Sequence, residues 1–459
     1  MSEDISALAV GFDGPFGSVW PIRPIPWAPQ PGTEPASPFH PESRRPIRLT
    51  LHTESFTNLN LWEAEALSAL TDLAGLEDVE ILGTSPCEFP QIEVASERLG
   101  DSYPVIVNYP DGSSLRTGIE VEDDAVRLPF REVSIVLAHG AVDNDIFVTA
   151  HPWILRNASR FFVFRNAAIM PPSAAARVVG LLLRRRHNYH VTSHYLFQGG
   201  YHFILMRFIL HGLWRYHSAC VHAGGEREGA VMSLGSAVLT RAKRALEARD
   251  AIAFEYYGGS NGGIARIEYH FDYLMLLLGG ALDARARIAY AAYGLRAPEG
   301  RAQRNFRNGE YRRALAGAGG TALVAVVERY DALMKTVAAL RNTIHGSSPL
   351  GVRVNGMNSE AFHLEVPESV RPHLEELVKA TPRRCWGVSD RIRPMLSPFV
   401  FADSAVRETF HLINDVANAT EVERLLADDI SLAKIKNGPR KGDSLFSETT
   451  GRRLTAIGW

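Results

Sequence analysis

Arg341, Asn342 and His345 are the residues whose types and spacing could do chemistry. The unperturbed pKa of histidine lies nearest neutrality, so it can take or give a proton at working pH. Arginine stays charged and offers a planar fork of donors that fits a phosphate or a developing oxyanion. Asn342 adds an amide beside them. Arg341 and His345 are four apart, which on a helix puts both on one side of successive turns. Cations in a last turn also suit the helix dipole, so a purely structural cap has the same composition.

The element that must position them is a long helix. Leu323, Val326, Tyr330, Leu333, Val337, Leu340 and Ile344 recur at three- and four-residue steps, which predicts one helix over Gly320–His345. Gly346, Ser347, Ser348 and Pro349 then stop it. A second helix is expected from Ile264 to about Leu295, with Ile267, Phe271, Leu274, Leu278 and Leu282 on its apolar face. Packed antiparallel, the two would form the centre of a bundle. Asp283 on the second helix either orients Arg341 or His345, or pairs with Arg287 one turn on. Between the helices Arg301, Arg304, Phe306, Arg307, Tyr311, Arg312 and Arg313 make the densest basic and aromatic stretch in the chain. Arginine with stacking aromatics suits single-stranded RNA, and a solvated connector is the competing reading.

The string Leu340-Arg341-Asn342-Thr343-Ile344-His345-Gly346, at the end of a long helix, resembles the signature of the HEPN superfamily. The small-residue-rich, acidic segment Ala281–Arg287 is similar to the helix that precedes that signature. The resemblance spans about Ser193 to Ala380, with its sharp part in those seven residues. It implies an all-α bundle and a metal-independent endoribonuclease of a defence or toxin system, free of cofactors and paired as a homodimer. In that reading His345 moves the proton at the 2′-hydroxyl or leaving oxygen, Arg341 stabilises phosphorane charge, Asn342 positions the phosphate and Asp283 orients Arg341 or His345. RNA would be gripped by Arg304, Phe306, Arg307, Tyr311 and Arg312. The alternative is a non-catalytic helical binding or assembly module with a structural Arg–His pair.

Composition bounds these readings. A chain of 459 residues is too long for one ordinary core and implies two or three domains. A net charge of −2 supplies no global positive field, so any RNA contact must be local. Cys87, Cys220 and Cys385 are far apart and form no CxxC pair, which argues against a disulfide framework and for a reducing, cytoplasmic setting. The most apolar run, Phe203–Trp214, is broken by Arg207 and His211 and is too short to span a membrane.

The expected organisation is a multi-domain α+β chain. Residues 1–46 form a proline-rich segment, 47–165 a strand-rich α+β domain, 166–433 an all-α HEPN-like region and 434–459 a loose basic tail. Strands are expected at Ile47–His52, Val79–Leu82, Ile92–Ser96, Ser134–Leu137 and Ile146–Ala150, with a hairpin from Val105–Tyr109 to Thr117–Val121. Asn60 with Glu63 reads as a capping box that opens a helix through Leu73. His139, Asp143 and Asp145 cluster in the last loop of that domain, where turn polarity accounts for them. Pro171 and Pro172 start the helical region. His187, His190 and His194 have helical metal-ligand spacing, but packing or solvation explains histidines in an aromatic segment equally, and no metal site is assigned. The glycine-rich Gly258–Gly263 follows a helix rather than a strand and lacks a following Lys-Ser/Thr, so it reads as a hinge and not a phosphate loop.

Overall fold

The computed structural model describes residues 38–39, 42–82, 91–94, 102–108, 114–120, 130–140, 144–158, 168–191, 194–223, 228–258, 263–295, 304–345, 351–354, 362–381, 385–390, 394–426 and 448–459. These fall into two compact units. One holds the described residues up to His194 together with Arg452–Trp459, and the other holds Tyr195–Gly451.

The strands of the first unit are β1 (Ile47–Leu51), β2 (Val79–Ile81), β3 (Gln91–Val94), β4 (Ser102–Asn108), β5 (Ser114–Glu120), β6 (Ile146–Val148) and β7 (Ala168–Met170). Its helices are α1 (Leu61–Leu73), α2 (Phe130–Gly140), α3 (Pro152–Arg156) and α4 (Pro172–Arg185). Four strands form a parallel sheet in the order β2-β1-β6-β7, with Leu49 opposite both Ile81 and Ile146, and Phe147 opposite Ile169. Ile-Arg-Leu-Thr-Leu, Ile-Phe-Val and Ala-Ile-Met are buried at nearly every position, as parallel strands covered on both faces must be. The remaining strands make an antiparallel sheet, β3-β4-β5.

Asn60 caps α1 as its sequence predicts, accepting the Glu63 N–H at 2.9 Å. The Glu63 carboxylate turns elsewhere, accepting the Ser173 N–H at 2.8 Å and the Ser173 hydroxyl at 2.6 Å. It thereby fastens α1 to the first turn of α4.

Three expectations need correction here. Ser134–Leu137 is helical, within α2, because Val133, Val136 and His139 are buried at three-residue steps. The boundary at 165/166 moves to follow His194, because β7 pairs with β6 and α4 packs on α1. The loose tail over 434–459 is, at its end, a helix of Glu448–Gly458 with Leu454, Ala456, Ile457 and Trp459 buried. Ile457 meets α4: its carbonyl accepts from the buried Arg184 guanidinium at 2.7 Å, and a side chain at Gly180 would collide with that same carbonyl. Residues 1–37 of the proline-rich segment and 434–447 of the tail lie outside the described residues.

Short strands β8 (His190–Val191) and β9 (His194–Tyr195) follow α4, so His190 and His194 do not share a helix and their i,i+4 relation carries no shared face. The second unit then runs through α5 (Gln198–Ile209), α6 (His211–Val221), α7 (Glu228–Gly258), α8 (Gly263–Ala292), α9 (Gly309–Gly317), α10 (Thr321–Arg329) and α11 (Asp331–His345). After these come β10 (Gly351–Val354), β11 (Phe362–Glu365), α12 (Arg371–Ala380), β12 (Val388–Asp390), β13 (Pro394–Leu396) and α13 (Pro398–Ala419). The unit is mostly helical but not all-α, since β10-β11-β13-β12 form an antiparallel sheet.

The long α8 is where the sequence places it, with Ile267, Phe271, Leu274, Leu278 and Leu282 all buried. Its most extensive partner is α7, with which it forms a hairpin, while α11 and α13 pack beside it. The expected single helix over Gly320–His345 is two. Tyr330 leaves helical geometry at φ −104° and ψ 16°, its hydroxyl donates to Asp415 at 2.8 Å, and Asp331 opens α11 by accepting from Arg312 and from Lys335 at 2.7 Å. An acidic residue in a first turn favours a fresh helix start, which is why the seam continues while the helix does not. Among the described residues no helix is long and apolar enough to cross a membrane.

Candidate functional site

α8 and α11 bring Asp283 and Arg341 together. Arg341 Nη1 donates to Asp283 Oδ2 at 3.0 Å, so Asp283 meets Arg341. The pair depends on a close approach at Gly279, one turn before Asp283. A Cβ there would sit 3.1 Å from Arg341 Cδ and 3.2 Å from Nη1, so a bare backbone lets the guanidinium lie against α8.

Around this pair is a recess lined by Gly279, Leu282, Asp283, Asn305, Phe306, Arg307, Met334, Val337, Ala338 and Arg341. Its floor is apolar and its polar groups are two guanidiniums, one carboxylate and one amide. Arg307 is half-buried there. Burial pulls its pKa down, the Arg341 charge adds to that, and the Asp283 carboxylate opposes both. Two cations sharing one anion leave the recess with a net positive charge. A guanidinium offers bidentate geometry to an anionic group such as a phosphate.

The other expected residues separate. Asn342 is exposed, and α11 ends at His345, whose side chain lies outside the described residues, as does Gly346. Phe306 lines the recess but is only 2% exposed, and Tyr311 is 6% exposed with its hydroxyl donating to the Ala286 carbonyl. Neither ring offers a face for a base to stack on. Arg304 lies over the Tyr290 ring, 4.4 Å from its centroid, and Arg312 is engaged by Asp331 and the Phe306 carbonyl. Of the five residues expected to grip RNA, only Arg307 presents its charge to the recess. The basic–aromatic composition was legible in sequence, but burial decides which members are available.

Sequence reading passed over a second cluster, in the first unit. The crossovers from β1 to β2 and from β6 to β7 run to opposite sides, so the sheet has its topological switch point between β1 and β6. His52 follows β1 and His151 follows β6, with ring centroids 6.2 Å apart, and His139 lies 6.1 Å from His52. His52 Nδ1 meets Thr149 Oγ1 at 2.9 Å, and His151 Nε2 faces Glu132 Oε1 at 3.7 Å. Burial lowers the His52 pKa, opposed by Glu54 and reinforced by His151 and Arg131. Burial, with His52 beside it, lowers His139 to about 3. Both shifts favour the neutral imidazole at His52 and His139. His139 is stacked on Phe147 at 4.1 Å, which marks it as core packing. A signal existed in the sequence, since His52 and His151 each stand just past a buried strand. It needed the parallel pairing to become legible.

No model of a known protein family, no curated protein and no solved structure matches the chain.

Proposed function

We propose that the helical unit binds a phosphodiester of RNA in the recess of Arg341, Arg307 and Asp283, and cleaves it without a metal ion. The observation that carries this reading is the convergence of two guanidiniums and one carboxylate in an open recess beside the last turns of α11. The resemblance of Leu340–Gly346 to the HEPN signature supports the same reading, and with it a homodimer and a setting in defence or toxin systems. The 2′-oxygen attacks phosphorus and the bond to the 5′-oxygen breaks. His345, one turn beyond Arg341, takes the 2′-hydroxyl proton or returns one to the leaving oxygen. Arg341 and Arg307 stabilise the charge that builds on the non-bridging oxygens. The products are a 2′,3′-cyclic phosphate and a 5′-hydroxyl.

The non-catalytic module is the second reading. Arg341 is already neutralised by Asp283, and three residues separate Arg341 from His345 where the superfamily usually has four to six. One assay separates the two. Labelled single-stranded RNA is incubated with the protein in EDTA, beside DNA of the same sequence. Cleavage of RNA alone, lost about 10²–10⁴-fold in His345→Ala and similarly reduced in Arg341→Ala at unchanged melting temperature, supports the nuclease. Binding of RNA without cleavage moves the conclusion to the module.

A further inference from the structure

Arg285, two residues beyond Asp283 on α8, is completely buried. Its guanidinium donates from Nη2 to the Ile413 carbonyl of α13 at 2.6 Å. Its Cζ lies over the Tyr216 ring of α6, 3.6 Å from the centroid. Nε and Nη1 have no partner, and neither has the Tyr216 hydroxyl. On α13 the buried Thr409 hydroxyl, one turn before Ile413, is also unpartnered.

A buried guanidinium without a carboxylate is a large anomaly. Arginine keeps its proton in proteins, and an uncompensated charge in a low-dielectric core costs several kcal/mol. The cation–π contact offsets a part of that. The acidic groups beside it cannot supply the rest. Burial raises the Tyr216 pKa above its ordinary value, with Arg285 pulling the other way, so the phenol keeps its proton. Cys220, next to the same charge, is pushed up by burial to about 12 and stays a thiol. Burial lowers Arg285 itself, against the pull of those two neighbours. The orphaned guanidinium atoms are donors only, and the Tyr216 hydroxyl has a proton to give. Such a set selects an acceptor that bears negative charge, of a size that fits among side chains.

We propose that Arg285 holds a small inorganic anion of halide size inside the second unit, with the Tyr216 hydroxyl as a further donor. The anion completes the core of α6, α8 and α13, so the stability of this unit depends on which anion the solution contains.

The test uses the full chain and chloride, bromide and gluconate as probes. Melting is followed at constant ionic strength as sodium gluconate is exchanged for sodium chloride. A saturable rise in melting temperature with chloride is expected, and crystals grown in bromide should carry an anomalous peak beside Arg285 Nε and Nη1. Arg285→Met should melt at the same temperature in both salts. Tyr216→Phe, which keeps the ring and removes one donor, should fold and weaken chloride binding about tenfold or more. Equal melting in chloride and gluconate, with only water scattering beside Arg285, overturns the proposal. If Arg285→Met does not fold, the Tyr216→Phe titration and the bromide peak still decide it.

Discussion

Lowering the pH from 7 to 5 should destabilise the first unit through its neutral histidines, and His139 is the place to measure it. Its pKa is lowered from 6.5 to about 3 in the folded protein. A base whose folded pKa lies below its unfolded value stabilises the fold fully above pH 6.5, and that stability drains as the pH falls below it. Each pH unit between the two values costs about 1.4 kcal/mol, so His139 alone loses about 2 kcal/mol between pH 6.5 and 5. His52, lowered in the same direction by burial against Glu54, adds to the loss. For a domain of this size about 2 kcal/mol corresponds to about 4–8 °C in melting temperature. Other groups at this spot, Glu54, Glu132, Arg131 and His151, also sense the charge, so the variant and not the bare slope is decisive. His139→Leu keeps an apolar contact for Phe147 and removes the titration. Melting of both proteins should be recorded from pH 7.5 to 5. The variant should lose the part of the slope that belongs to His139, whatever its absolute stability. An identical slope in the two proteins would mean that His139 is not held neutral by burial.

Glu63→Ala should destabilise the first unit by about 1–3 kcal/mol, since it leaves the Ser173 N–H and hydroxyl without their acceptor; urea unfolding that shows no change refutes the fastening of α1 to α4. Limited chymotrypsin digestion should cut at the exposed Tyr195 and Phe197 and release a helical fragment starting there rather than near Pro171, to be read by mass spectrometry. Light scattering of the full chain at micromolar concentration should give a dimer, and a strict monomer would count against the homodimeric nuclease.

What was legible in the sequence was periodicity and local capping. Asn60, the β1, β2 and β6 runs and the five apolar positions of α8 each state their structure within a few turns of chain. What was not legible depended on partners distant in sequence. The Ser134–Leu137 run is as apolar as a strand, and only the burial of Val133, Val136 and His139 on one side makes it a helix. Tyr330 fits the helical seam, and its break is set by Asp415 and Arg312, 85 and 19 residues away from the groups they bind. At the candidate site the pairing of Asp283 with Arg341 was one of two expected alternatives, and distance chose it. The aromatic members of the basic stretch could not be told from core residues by composition, because burial is a property of the packed chain.

The first unit is discontinuous in the chain, interrupted by Tyr195–Gly451 of the second. During synthesis the helix bearing Ile457 emerges only after those intervening residues, a delay of about 10–50 s at ordinary ribosomal rates. Until then the Ile457 carbonyl that accepts from Arg184 and lies against Gly180 is missing. The earlier-made unit therefore stays incomplete until the later one has been synthesised. That order makes the first unit, with α4 short of its last partner, the part a chaperone has reason to hold.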